Sequence, residues 1–170
     1  MSHKRFASVT IEAATPDLPA AAEILRDYLG EMISRHYGRP TDDAEINQHL
    51  GTGHGSDDLM GPTGVLLLAQ GTDGDARPRP IGCVGLRRLD ERTRELTRMF
   101  VRPEARGAGV ATLLLAAAEQ RAYADGASVI RLNTRSDLVE ARALYAKHGY
   151  REIPRYGDDP LAEHCYEKKL

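Results

Sequence analysis

The sequence predicts an α/β fold, built as an α+β mixed sheet that is largely antiparallel and has helices on both faces. Helical and extended patterns follow each other in the order β-α-α-β-β-β-α-β-α-β-β, so a βαβ crossover comes after a run of antiparallel strands. The chain has 170 residues, 41% of them hydrophobic, which suits one compact domain with a buried core. We therefore expect a single domain over residues 1–170.

The first third of the chain predicts one strand and two helices. Phe6–Ala13 has the extended pattern of a strand. The Thr-Pro-Asp run at residues 15–17 has the order of an N-cap, a first-position proline and an acid, which predicts a helix that continues to about Arg35. A second, short helix is expected from Thr41, and residues 51–58 have the composition of a loop.

The remainder of the chain predicts two more helices among six strands. The clearer helix runs from about Gly109 to Ala124 and ends at the Asp-Gly pair that follows. Ser136 has the chemistry of an N-cap, and the helix that it predicts ends at Gly149. The strands are expected at Val65–Gln70, Ile81–Leu89, Glu95–Val101, Ser128–Asn133, Tyr150–Pro154 and Glu163–Leu170.

Charge and composition exclude several classes of function. The net charge of −2 at pH 7 offers no binding surface for nucleic acid. The longest apolar stretch, Val110–Ala118, is well short of the ~20 residues that a membrane-spanning helix needs. Because the N-terminus has no apolar segment and the two cysteines make no disulfide framework, we expect a cytoplasmic protein. The six histidines have no metal-ligand spacing, so no metal is expected.

A local cluster of arginines leaves two interpretations open. Alternation along a strand would distribute these side chains over both faces as a solvated rim, whereas a shared face would attract phosphate. The members are Arg87, Arg88, Arg92, Arg94, Arg98, Arg102 and Arg106.

The most informative segment is a glycine-rich turn between the predicted strand Glu95–Val101 and the helix that follows it. At a helix start several backbone N–H groups lack partners within the helix, and the positive end of the helix dipole lies beside them. Such a start can bind a pyrophosphate. Glycines at 107 and 109 would let phosphate oxygens reach these N–H groups, which a Cβ atom would prevent.

Two common nucleotide-binding motifs do not fit this turn. A Rossmann fingerprint requires a third glycine where this chain has Thr112, and an acid at the tip of the next strand, where it has Asn133. A P-loop requires a lysine, and no lysine lies between Lys4 and Lys147.

The turn instead resembles the acetyl-CoA signature [RQ]-x-x-G-x-[GA] of the GNAT acetyltransferases, which Arg106, Gly109 and Ala111 match. Residues 141–150 are similar to the second signature of that family, A-x-x-L-Y-x-x-x-G-[FY], and residues 166–170 to its terminal strand. The resemblance runs from about Ile81 to the end of the chain. It implies the GNAT acyl-CoA N-acyltransferase fold and an acetyl-CoA-dependent N-acetyltransferase that needs no metal.

The resemblance also implies which residues bind acetyl-CoA, the co-substrate. The backbone of the strand that ends at Phe100 and Val101 would pair with the pantetheine arm, and an N–H of the Met99–Val101 segment would stabilise the oxyanion. The amides from Arg106 to Thr112 would hold the pyrophosphate. Asn133 and Ser136 are further expected contacts, although capping alone would explain Ser136. The cofactor-binding set is Met99, Phe100, Val101, Arg106, Gly107, Ala108, Gly109, Val110, Ala111, Thr112, Asn133 and Ser136.

Two residues are expected to be catalytic. Glu95 corresponds to the family's base, which takes a proton from the attacking amine directly or through water. Alternation places its side chain on one face with Thr97, Met99 and Val101; the competing interpretation is a solvated charge at the hairpin edge. Tyr145 matches the tyrosine that protonates or binds the departing sulfur, and its alternative is a core side chain.

The acceptor itself is not readable from the sequence, beyond a primary amine on a small molecule or a peptide. Two other functions stay open: a GNAT-fold module that senses acyl-CoA without turnover, and a transferase that uses a longer acyl-CoA. A homodimer is possible, as in other members of the family. The acceptor pocket is expected to border on Tyr37, Asp42, Asp43, Glu45, His54, Asp57 and Asp58, although a solvated charged loop would also explain these residues. The Tyr-Gly-Asp-Asp segment at residues 156–159, between the last two strands, has the same two interpretations.

Overall fold

The structure is a computed structural model that describes residues 6–51, 56–74 and 76–170. Within these ranges seven strands form one sheet and four α-helices pack around it. The strands are Ser8–Ala14 (β1), Gly64–Thr72 (β2), Arg79–Arg88 (β3), Thr93–Val101 (β4), Val129–Thr134 (β5), Arg151–Ile153 (β6) and His164–Lys169 (β7). The helices are Pro19–Tyr37 (α1), Asp43–Gly51 (α2), Val110–Ala124 (α3) and Val139–Lys147 (α4). The predicted order of elements is confirmed.

The strands lie in the order β1-β2-β3-β4-β5-β7-β6. Every neighbouring pair is antiparallel except β4 and β5, which are parallel. Parallel neighbours need a crossover connection, and α3 provides it. The largely antiparallel mixed sheet predicted from the sequence is confirmed.

Helices cover both faces of the sheet because side chains alternate along β2. Leu67 and Ala69 belong to one core cluster together with buried residues of α3. Leu66 and Leu68, one position away, belong to a second cluster together with Ala21, Ile24 and Leu25 of α1.

Three helix starts differ from the prediction. The segment at residues 15–17 forms a turn closed by a hydrogen bond from the Leu18 N–H to the Thr15 carbonyl, and α1 begins at Pro19. A proline does occupy the first position, but it is Pro19 and not Pro16. The α2 start is capped by Asp42, whose carboxylate accepts the Glu45 N–H at 2.9 Å, rather than by Thr41.

The predicted cap of α4 is also wrong. This helix starts at Val139 with Leu138 in the N-cap position, and no side chain caps it. The hydroxyl of Ser136 instead donates to Glu163 Oε2 at 2.6 Å and lies 2.9 Å from Nε2 of His164. The Ser136 side chain therefore forms contacts with the start of β7 instead of capping α4.

A β-bulge interrupts β4 at Arg98. Arg98 has φ of 52°, the left-handed region that residues other than glycine rarely adopt. The register with β3 shifts by one residue at this point. Leu96 therefore packs in the α3 cluster, whereas Phe100, four positions further on, packs in the α1 cluster.

The bulge accompanies a divergence of the two parallel strands. β4 pairs with β5 only from Thr93 to Glu95, opposite Val129 to Arg131. β4 continues to Val101 and β5 to Thr134 outside this pairing. The sheet thus opens into a cleft between the second halves of two neighbouring strands.

Candidate active site

The cleft between β4 and β5 holds a cavity of about 990 Å³. Its walls include β4 from Glu95 to Val101, the turn before α3, Asn133 at the end of β5, and Tyr145 of α4. Segments far apart in the sequence therefore line one space, together with every predicted catalytic and cofactor-binding residue except Ala108 and Ser136. A volume of this size suits a cofactor-sized ligand.

The α3 N-terminus faces this cavity with the geometry of an anion site. Gly109 is the N-cap residue, with φ of 81°, and the first hydrogen bond of the helix runs from the Leu113 N–H to the Gly109 carbonyl. The N–H groups of Val110, Ala111 and Thr112 precede that bond, so they have no acceptor within the helix. A Cβ atom on Gly109 would meet no protein atom within 4 Å, so the space in front of this amide is open.

Arg106 secures the turn from both sides. Its Nε donates to the Val101 carbonyl at 2.9 Å, and its guanidinium binds Glu31 of α1 at 2.6 Å. The backbone N–H of Arg106 donates to the Pro103 carbonyl at 3.3 Å. This amide thus already has an acceptor in the preceding turn, which differs from the expectation that the anion-binding amides begin at Arg106.

Glu95 is a buried carboxylate, with 4% of its surface exposed. Its Oε1 accepts from Nε of Arg87 at 2.7 Å and lies 2.5 Å from Nη2 of the same guanidinium. Its Oε2 accepts from the Tyr156 hydroxyl at 2.9 Å. The interpretation of Glu95 as a solvated hairpin charge is therefore wrong.

The expected face of Glu95 needs one correction. The bulge at Arg98 reverses the alternation, so Val101 packs within the α3 cluster and Met99 packs against it. Phe100 takes the opposite side, with α1. Glu95 keeps Thr97 as its neighbour on the same face, but it does not share that face with Met99 and Val101.

Tyr145 is both a core side chain and a cavity residue. Its ring lies 5.7 Å from the ring of Tyr150 and 6.2 Å from that of Tyr166, and 4% of the residue is exposed. Burial raises the pKa of its phenol above the usual 10. Tyr145 nevertheless contributes to the wall of the cavity.

The predicted acceptor wall is only partly formed. Tyr37 lines the cavity, as do His36 and His49. Asp43 and Glu45 bind arginine side chains instead. The wall also includes residues that the sequence did not single out, chiefly from α1 and from the segment between β6 and β7; these are Tyr28, Leu29, Met32, Pro160 and Leu161.

Two partners of Glu95 were not predicted from the sequence. Arg87 lies directly opposite Glu95 in the β3–β4 register, so a cross-strand count along the hairpin would have found it. Tyr156 lies 61 residues away, in the segment between β6 and β7, and no local pattern links it to Glu95.

Within residues 6–51, 56–74 and 76–170, no group of three or more His, Cys, Asp or Glu side chains could hold a metal ion. In the same ranges no helix is both long and apolar enough to cross a membrane. His54, predicted to border the acceptor pocket, lies outside the described residues.

Comparison with known proteins agrees with the geometry of the cleft. The sequence matches the Acetyltransferase (GNAT) family over residues 22–150, which is more than half of the chain. The chain belongs to the GNAT acetyltransferase family. A curated relative, an uncharacterised N-acetyltransferase of Schizosaccharomyces pombe, is 30% identical over 106 residues. That match spans 62% of this chain and 63% of the relative, under two thirds of its length.

Solved GNAT structures share the fold. An acetyltransferase of this family from Staphylococcus aureus Mu50 superimposes with a TM-score of 0.73 at 21% identity, covering 96% of this chain and 99% of that chain. The PaiA N-acetyltransferase of Thermoplasma acidophilum, solved in complex with coenzyme A, gives a TM-score of 0.71 at 19% identity with the same coverage. The GNAT acyl-CoA N-acyltransferase fold predicted from the two signatures is confirmed.

Proposed function

We propose that this chain transfers an acetyl group from acetyl-CoA to a primary amine, by direct attack of the amine on the thioester. The observation that carries the proposal is a shared cavity: the α3 N-terminus, the half of β4 that does not pair with β5, Glu95 and Tyr145 all line it. The acceptor is a small molecule or a peptide, and the reaction involves no metal, nucleic acid or membrane.

The cleft has the groups that coenzyme A requires. The N–H groups of Val110–Thr112 lie at the positive end of α3 and bind the pyrophosphate, with Gly109 keeping the approach open. The backbone of Met99–Val101, beyond the pairing with β5, offers hydrogen bonds to the amides of the pantetheine arm. Asn133 lines the same cavity and is a further contact. The coenzyme A complex of the Thermoplasma acidophilum neighbour supports this class of ligand.

Glu95 and Tyr145 divide the proton transfers. Glu95 takes the proton of the amine, directly or through a water molecule, as the C–N bond forms. A backbone N–H of the Met99–Val101 segment stabilises the negative charge on the carbonyl oxygen. Tyr145 gives its proton to the sulfur as the C–S bond breaks; its raised pKa keeps the phenol protonated at neutral pH.

A panel of amines tests the proposal, with release of the coenzyme A thiol as the readout. The panel contains small alkyl and aromatic amines, amino acids and peptides with a free N-terminus. We expect amine-dependent thiol release from acetyl-CoA, with the acetylated amine identified by mass. Binding of acetyl-CoA without release for any amine would contradict the proposal and favour a sensor. Faster release from a longer acyl-CoA would contradict the acetyl assignment.

A further inference from the structure

Glu95 is held by donors that reach it from two directions. Arg87, on the neighbouring strand, directs two nitrogen atoms at Oε1, at 2.7 and 2.5 Å. Tyr156, from the segment between β6 and β7, donates its hydroxyl to Oε2 at 2.9 Å. The guanidinium thus covers Oε1 with two of its nitrogen atoms, one of which donates a hydrogen bond. A carboxylate oxygen accepts about two hydrogen bonds, so Oε2, which accepts one, has one position left. Hydrogen bonds to a charged carboxylate are among the stronger ones in proteins.

Each of these donors is itself fixed to another part of the molecule. Nη1 of Arg87 lies 3.3 Å from Asp58, in the short helical turn Asp57–Leu59 that follows α2. The ring of Tyr156 lies 5.5 Å from the guanidinium of Arg131 on β5. Glu95 is thus connected to segments on both sides of the cleft.

The chemistry of Tyr156 makes it a donor rather than a base. Burial, and then the negative charge of Glu95, raise the pKa of its phenol far above the usual 10. It therefore keeps its proton whenever Glu95 is charged, and the hydrogen bond has one direction.

We propose that Arg87 and Tyr156 are positioning residues for the base, and that Oε2 of Glu95 is the atom that receives the proton from the amine. This inference rests on the proposed function. Arg87 holds Oε1 through one hydrogen bond from Nε and the close ion-pair contact of Nη2, which leaves the free position of Oε2 for the proton of the amine or of a bridging water. Tyr156 fixes the rotation of the carboxylate so that this position is constant. Through Tyr156, the position of the Glu95 carboxylate depends on the segment between β6 and β7, and residues 159–161 of that segment line the cavity.

The test is Tyr156→Phe, with Tyr150→Phe as a matched control. The Tyr150 hydroxyl donates to Glu119 at 3.1 Å, so the control removes a similar tyrosine–glutamate hydrogen bond. Neither Tyr150 nor Glu119 lines the cleft. For each variant, kcat/KM for the amine is measured against pH, and the acetyl-CoA Kd by calorimetry. Circular dichroism verifies the fold.

We expect Tyr156→Phe to lower the plateau kcat/KM by about three- to tenfold, the effect of one hydrogen bond. The acetyl-CoA Kd stays unchanged, and Tyr150→Phe changes neither quantity.

Arg87→Met, compared with Arg87→Lys, makes the same test at Oε1. We expect a larger fall in the plateau kcat/KM for the methionine variant, and partial recovery by the lysine variant, which restores the charge but not the planar guanidinium. A plateau kcat/KM that is identical in wild type, Tyr156→Phe and Arg87→Met would overturn the inference while leaving acetyl transfer intact. Absence of transfer by the wild-type protein would instead overturn the proposed function.

Discussion

At the scale of single residues, burial determines what Tyr145 can contribute. Its ring packs between two other tyrosines, yet the residue also lines the cleft. The two interpretations of this residue drawn from the sequence therefore do not exclude each other. Because burial raises its pKa above 10, the phenol is a proton donor throughout the neutral range.

Replacement of Tyr145 by phenylalanine separates these two contributions. We expect kcat to fall by roughly a hundredfold, the lower end of the usual effect of a general acid, while the acetyl-CoA Kd changes little. We also expect no loss of wild-type activity through this phenol below about pH 10, since the protonated form is the active one and its pKa is raised. Steady-state rates between pH 6 and 10 check both points. A basic limb near neutral pH that disappears in the variant would contradict the assignment.

At the scale of elements, local sequence signals predicted the anion site better than they predicted the strand irregularities and helix caps around it. The glycines before α3 mark both the helix start and the anion site, because left-handed φ values and free N–H groups are properties of the local chain. The bulge at Arg98 was not predicted, since arginine gives no signal for a left-handed φ and the sheet imposes it. The Ser136 cap failed because contacts with Glu163 and His164 replaced it.

The α3 start gives the sharpest prediction at this scale. Gly109→Val should weaken acetyl-CoA binding by at least about tenfold, because a side chain would cover amides that bind a charged ligand. Gly126→Val is the control: Gly126 follows the other end of α3, has φ of 84° against 81°, and also meets no atom within 4 Å. Both substitutions carry the same backbone strain, roughly 1–2 kcal/mol. Equal acetyl-CoA affinity in the two variants by calorimetry would refute the site.

The other face of α3 is expected to matter for stability alone. Leu114 is fully buried and lies so close to Gly82 of β3 that a Cβ atom added there would touch it. Leu113, the preceding residue, is 46% exposed. Leu114→Ala should lower the free energy of unfolding by about 2–5 kcal/mol. Leu113→Ala should change it by no more than about 0.5 kcal/mol. Urea denaturation measures both values, and comparable losses would show that the helix is oriented differently.

At the scale of the whole molecule, the active cleft exists because a parallel pair of strands separates after three residues. The sequence predicted the order of the elements along the chain and a βαβ crossover, which depend on patterns along the chain. It did not predict where pairing ends or that Tyr156 reaches Glu95, because these depend on contacts between distant segments. For the same reason the acceptor and the possible homodimer remain predictions.

A crystal structure of the protein with acetyl-CoA tests the central claim most directly. We expect pyrophosphate oxygens within about 3.2 Å of the backbone nitrogens of Val110–Thr112, and the thioester between β4 and β5, facing Tyr145. A coenzyme bound elsewhere on the molecule, with these three N–H groups facing only solvent, would contradict the account.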